Sequence, residues 1–374
     1  RQLVQAEVDW LVLVQRAEFN HLAPLLRYNL AQCDWPINSD VLPVEARQHL
    51  ERISQTWAAR HLAYVHEAER LLTALAAASV TAIPLKGAAL MLGGYYPQAG
   101  LRPAVDLDVL VDPARIAEAE RVAAACGYEV TPGRTQARPR QRLANELNHV
   151  APRRGPSGLL LELHTRAFHC VRAGRDFGFA EVAAHSYTDG KPQCRLPSPA
   201  ALALHLTHHT LVDLQSTRAI LRTLADLHFI LQRTPSAVAP LRALADEYGF
   251  RGAVEAAVRA EHWLASCAAD DLADCPKDCV LLLETALLTE PQGLAAAARL
   301  VEYFDLAHAP WRKLGNLGAL VFTNREHLTQ QYGTRGNLTW RYVQRPFVLL
   351  RKFAWAALRP SNLRRVWQWR KLAE

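Results

Sequence analysis

The feature that most constrains this chain is a strand whose two faces disagree. Residues 100 to 112 read GLRPAVDLDVLVD. Side chains alternate along a strand, so Asp106 and Asp108 share one face and Val105, Leu107, Val109 and Val111 share the other. The apolar set is a core face. The carboxylates on its back then need a purpose of their own. The same construction returns in GLLLELHTR, where Leu159, Leu161 and Leu163 alternate with Glu162 and His164. If the two strands are neighbours, three carboxylates and an imidazole meet on one surface. Carboxylates so close repel unless a cation lies among them. Oxygen donors of this kind suit Mg²⁺, which completes its shell with water and substrate phosphates.

An Asp-x-Asp pair alone is a weak signal, and a solvated edge strand would also carry it. The residues around it strengthen the reading. Lys86 is the only lysine in the first 190 residues of an arginine-rich chain, and it stands beside Gly87 at the end of the strand-like run SVTAIPLKG. Arginine and lysine are not equivalent at phosphate sites. A glycine and the helix start that follows it would let backbone approach an anion. Arg102 is a second candidate phosphate contact. Cation, phosphate cradle and a carboxylate able to orient a nucleophile are the parts of a phosphoryl or nucleotidyl transfer site.

The stretch IPLKGAALMLGGYYPQAGLRPAVDLDVLVDPARIAEAERVAAACGYEV, followed by LELH, resembles the minimal nucleotidyltransferases of the DNA polymerase β-like superfamily. It is most like a bacterial group with the order Lys-Gly, Arg, Asp-x-Asp, Gly-Tyr, His, Glu-x-His. The matching positions are Lys86, Gly87, Arg102, Asp106, Asp108, Gly127, Tyr128, His149, Glu162 and His164. The resemblance covers about residues 79 to 168, with His208 and Asp226 as looser matches in the helical flank. It implies that Asp106, Asp108 and Glu162 are the catalytic and metal-binding carboxylates. It further implies that Lys86, Gly87, Arg102 and His164 contact the cofactor or nucleotide. The superfamily has its glycine pair about a dozen residues before Asp-x-Asp. Gly93-Gly94 has that spacing here, but Lys86-Gly87 ends the strand and is the preferred cradle.

The fold expected is α+β, a polymerase β-like nucleotidyltransferase core with a small mixed sheet, flanked by helical regions. An N-terminal helical region spans 1–78, the core 79–190, a C-terminal helical domain 191–334 and a basic aromatic tail 335–374. Within the core, Asp112-Pro113 opens a helix that stops at Gly127, and Gly-Pro-Ser-Gly joins two strands. Ser198 before Pro199 caps the first helix of the C-terminal region.

The activity implied is transfer of a nucleoside monophosphate from a nucleoside triphosphate, with ATP expected, to a hydroxyl or phosphate of an acceptor. Mg²⁺ or Mn²⁺ is the expected metal. The group occurs in polysaccharide and lasso peptide biosynthesis, which implies a small-molecule, sugar or peptide acceptor. The alternative is a nucleotide- or partner-binding regulatory protein on a degenerate nucleotidyltransferase scaffold. A kinase lacks its glycine-rich and catalytic-loop motifs here.

Other features exclude classes. The net charge of +7 resides in the tail, where residues 335–374 hold ten Lys or Arg and one acid, so the body is not a basic nucleic-acid coat. That tail interleaves Arg with Trp and Phe, which suits an acidic partner, RNA, a membrane surface or simple packing. Apolar runs stop short of the ~20 residues of a membrane span, and the chain reads as cytoplasmic. Seven cysteines at scattered spacing suggest reduced thiols, Cys267, Cys275 and Cys279 included. His205 and His209 are one helical turn apart but lack the glutamate of a zinc protease motif. Asp226 lies one turn after Arg222 and reads as its intrahelical partner, or as an acceptor or nucleobase contact.

Overall fold

The computed structural model describes residues 8–32, 42–130, 150–168, 176–188, 195–212, 219–266 and 275–286, with isolated helical positions from 340 onward. The basic loop at 134–142, His149, Cys267 and nearly all of the tail 335–374 lie outside the described residues.

Three helices come first: α1 (Trp10–Phe19), α2 (Ala23–Gln32) and α3 (Val44–Ala77). The two short ones pack on the first half of α3 around Val14, Ala23, Ala46 and Leu50. The second half of α3 turns Tyr64, Ala68, Leu71, Leu72 and Leu75 toward the sheet, at helical spacing.

The core follows as β1 (Ala82–Pro84), α4 (Lys86–Leu92), β2 (Asp106–Val111), α5 (Ile116–Ala125), β3 (Glu129–Val130), β4 (Arg153–Arg154) and β5 (Leu160–His164). The five strands form one mixed sheet in the order β1-β2-β5-β4-β3. β2 and β5 run parallel at its centre, and the other pairs are antiparallel. Asp112 caps the turn that leads into α5, and its carboxylate accepts from the Ala114 N–H at 2.9 Å. Gly127 ends that segment at φ +87°, a conformation that favours glycine.

The β4–β5 turn is pinned from below. Ser157 donates to the Glu67 carboxylate of α3. That carboxylate fills the space in which a Cβ on Gly155 would lie. A side chain at this glycine would break the anchor that sets the hairpin against α3.

Beyond the core come α6 (Phe179–Ala184), the hairpin β6 (Ser186–Thr188) and β7 (Arg195–Pro197), and then α7 (Pro199–Thr207), which runs into a π-helical turn at His208–Val212. Ser198 caps α7 through the Ala201 N–H at 3.3 Å. The helices α8 (Ile220–Arg233), α9 (Val238–Tyr248), α10 (Arg251–Ser266) and α11 (Lys277–Ala286) complete the described chain. β6 and β7 pair antiparallel, and β7 lies against β1.

The sheet separates two apolar layers. Leu107, Val109, Val111, Leu161 and Leu163 face α3 and α5. Ile83, Leu85, Leu90 and Leu110 face α7, α8 and the helices behind them. Val105 departs from the expected pattern. It precedes the strand and is 58 % exposed, so the buried face starts at Leu107. No helix among the described residues is long and apolar enough to cross a membrane.

Candidate active site

The register of the central strands decides the site. Asp108 pairs with Glu162, and Leu110 with His164. Period-two alternation then puts Asp106, Asp108, Glu162 and His164 on one face, as the sequence pattern requires. The face points toward the layer that contains α4, α7 and α8.

Asp108 is the hub. Its Oδ1 accepts from Lys86 Nζ at 2.9 Å and lies 2.8 Å from His164 Nε2. Glu162 Oε2 is 3.7 Å from the same imidazole nitrogen. Asp108 and His164 are each 1 % exposed. Burial alone would raise the Asp108 carboxyl, but Lys86 and His164 hold it well below the usual carboxylate range. Burial works against the Lys86 ammonium too, yet Asp108 and Asp106 raise its pKa. Asp106 behaves oppositely to Asp108. Its carboxyl is raised, first by burial and then by the Asp108 charge.

Backbone geometry explains how Lys86 gets there. Leu85 N–H donates to the Asp108 carbonyl at 2.9 Å and ties the end of β1 to β2. The next residue, Lys86, has φ +46°, a left-handed conformation uncommon for a side chain of this size. The chain accepts that strain where the ammonium must meet Asp108. On the other strand, the Tyr64 hydroxyl donates to the Asp106 carbonyl at 2.8 Å and fixes the start of β2 to α3.

Arg102 is placed differently from a ligand-facing cation. Its Nε and Nη2 donate to Asp226 at 3.2 and 3.0 Å, and Nη1 donates to the Pro103 carbonyl at 3.1 Å. The guanidinium is 6 % exposed and Asp226 is 0 % exposed. Burial opposes the Arg102 charge, but Asp226 overcomes it and raises the pKa further. Asp226 therefore pairs across the fold, not along its helix with Arg222. Its Oδ1 also accepts from the Tyr96 hydroxyl at 2.6 Å.

Gly87 serves this pair. A Cβ there would lie 2.6 Å from Arg102 Nη1 and 3.2 Å from the Ala104 Cβ. Arg102 cannot step aside without leaving Asp226. Gly87→Ala is expected to cost about 1–3 kcal/mol, read as a lower denaturation midpoint. Gly93-Gly94 ends α4, and both carbonyls accept from Arg233 Nη1.

Among the described residues, one group of side chains has the spacing to hold a metal ion. One donor atom each from Asp108, Glu162 and His164 lie within 4.8 Å of one another. The set fits a divalent cation, with two carboxylates and an imidazole converging on a face where Asp106 adds further negative charge. Asp106 belongs to the same face but not to this tight group. His164 joins it instead, as a contact of Asp108 more than of Glu162. His205 and His208 are buried in the helical layer, where His208 stacks on Phe168 with ring centroids 3.9 Å apart. Cys126, Cys275 and Cys279 form no disulfide among the described residues.

No local sequence pattern marks Tyr64 or Tyr96, whose hydroxyls bond to the Asp106 carbonyl and the Asp226 carboxylate. Tyr96 and Asp226 are 130 residues apart, and no local spacing connects them. A charged Asp226 amid the apolar periodicity of α8 was the available signal.

The family model described as an uncharacterised nucleotidyltransferase matches residues 6–265. No curated protein and no solved structure matches the chain.

Proposed function

The chain belongs to the uncharacterised nucleotidyltransferase family and is a nucleotidyltransferase, and from that premise we propose that it transfers a nucleoside monophosphate from a nucleoside triphosphate, with ATP the expected donor, to an acceptor oxygen. The observation that carries this reading is the Asp108–Glu162 register, with His164 inside the same 4.8 Å group. Asp108, Glu162 and His164 would hold a divalent cation, with Asp106 beside them. Such a cation neutralises the phosphate chain and supports charge that builds up on leaving pyrophosphate. An imidazole among the donors suits Mn²⁺ at least as well as Mg²⁺.

The remaining roles belong to the chain itself. The acceptor oxygen bonds to the α-phosphorus, the α–β bridging bond breaks, and pyrophosphate departs. Glu162, the most accessible member of the group at 18 % side-chain exposure, takes the acceptor proton. Lys86 holds Asp108 ionised and stands at the edge of the site for phosphate. Arg102 belongs to the frame, because Asp226 occupies its fork. The acceptor falls in the class of small molecules, sugars or peptides, the setting implied by the polysaccharide and lasso peptide associations of the family it resembles.

The test uses ATP labelled at either the α or the γ phosphate, with Mg²⁺ or Mn²⁺ and a panel of hydroxyl-bearing acceptors. Label from the α position is expected in the product, and γ label in pyrophosphate. Transfer of γ label alone would mean phosphoryl transfer and refute the reading.

A further inference from the structure

The pairing of Asp226 with Arg102 leaves a cation over. Arg222 lies one turn before Asp226 on α8, where an intrahelical pair would ordinarily form. Both Asp226 oxygens are already engaged, Oδ1 by Tyr96 and Arg102 and Oδ2 by Arg102. Arg222 makes no hydrogen bond or ion pair among the described residues, and its Nε is enclosed without an acceptor. Enclosing an unpaired guanidinium is unfavourable, and a second arginine nearby makes it more so. Burial and the Arg102 charge together pull its pKa down to about 10. The anions it senses are Asp226 and Asp106, and its charge in turn lowers the Asp106 carboxyl. Arg222 thus lies within electrostatic reach of Asp106 on the carboxylate face, as a guanidinium whose Nε has no hydrogen-bond acceptor among the described residues.

We propose that Arg222, and not Arg102, is the guanidinium that binds the phosphate chain of the nucleotide. The proposal rests on the nucleotidyltransferase reading and adds a residue to it. A guanidinium can donate two parallel hydrogen bonds to phosphate oxygens, and doing so would satisfy the enclosed Nε edge. The arrangement divides labour between two arginines. Arg102 ties α8 to the segment between β1 and β2 through Asp226, and the same helix carries Arg222 within electrostatic reach of Asp106.

The test measures binding of inorganic tripolyphosphate to the full chain by calorimetry, with and without Mn²⁺, alongside thermal stability. Arg222→Gln is expected to weaken binding roughly tenfold to a hundredfold, the loss of one or two charge-assisted hydrogen bonds. Its melting temperature should equal or exceed that of the parent, because a half-buried guanidinium with an enclosed, unsatisfied Nε is removed. Arg222→Lys should fall between. In turnover, KM for the nucleotide should rise with little change in kcat. Unchanged tripolyphosphate affinity in Arg222→Gln would overturn the proposal, as would no binding by the parent chain. A melting temperature lowered as by a broken ion pair would also overturn it, since Arg222 would then be structural. Arg222-dependent tripolyphosphate binding without α-label transfer would leave this assignment standing and sink the nucleotidyltransferase reading instead.

Discussion

Asp226→Ala should lower the stability of this protein by about 3–5 kcal/mol, the cost of leaving one partner of a buried ion pair behind. The size follows from geometry. Arg102 is almost fully enclosed, and Asp226 takes two of its hydrogen bonds. Alanine would leave a guanidinium with no counter-ion and the Tyr96 hydroxyl with no acceptor. It would also loosen α8 against the segment between β1 and β2, leaving Arg233 on the Gly93 and Gly94 carbonyls as the remaining side-chain hydrogen bonds there. Nucleotide binding should weaken in the same variant. A paired replacement, Arg102→Met with Asp226→Leu, should recover most of the lost stability, since buried ion pairs are often no more stabilising than apolar residues of similar volume. Chemical denaturation of the three chains measures this directly. Equal stability of Asp226→Ala and the parent would show that the pair carries no structural weight.

Asp108→Asn should have the largest effect on activity, a loss of roughly 10³-fold in kcat, in line with removal of a preorganised charge from a reacting centre. Stability should fall too, because Lys86 and His164 both converge on the lost carboxylate. The pH dependence has a definite sign. The Asp108 carboxyl is depressed in the folded state, so its stabilisation is present above the ordinary carboxylate range near pH 4 and is lost only as pH falls through the depressed value. The stability difference between parent and Asp108→Asn should therefore shrink as pH falls below the ordinary carboxylate range and through the depressed value. Glu162→Gln separates the two roles. Glu162 is more accessible and anchors no buried lysine, so activity should fall sharply while the melting temperature changes little.

Much of this site was written in period-two alternation. The buried leucines and valines of β2 and β5 left Asp106, Asp108, Glu162 and His164 on the opposite face, and the parallel pairing of the two strands brought them together. Lys86 was legible because a lone lysine in an arginine-rich chain had to be explained, although its left-handed backbone was not foreseeable for a non-glycine residue. The pairing of cations with carboxylates was not legible. Arg102 looked like a phosphate ligand because it stands four residues before Asp106. In the structure its guanidinium donates to Asp226, 124 residues away. Helical spacing favoured Arg222 for Asp226, but tertiary packing put a second guanidinium into that carboxylate first. Gly87 was read as a phosphate approach, and its missing side chain makes room for Arg102. The common cause is that local periodicity fixes which face a residue occupies, while the choice among several nearby charges depends on packing between distant elements.

The central claim is that the face shared by Asp108, Glu162 and His164 holds a divalent cation with the nucleotide. The most direct measurement is a Mn²⁺ titration followed by the magnetic resonance signal of the free ion, with a non-transferable ATP analogue present. The parent chain should take up Mn²⁺ saturably, and Glu162→Gln should bind it roughly tenfold more weakly or worse. Equal uptake by the two chains would contradict the account.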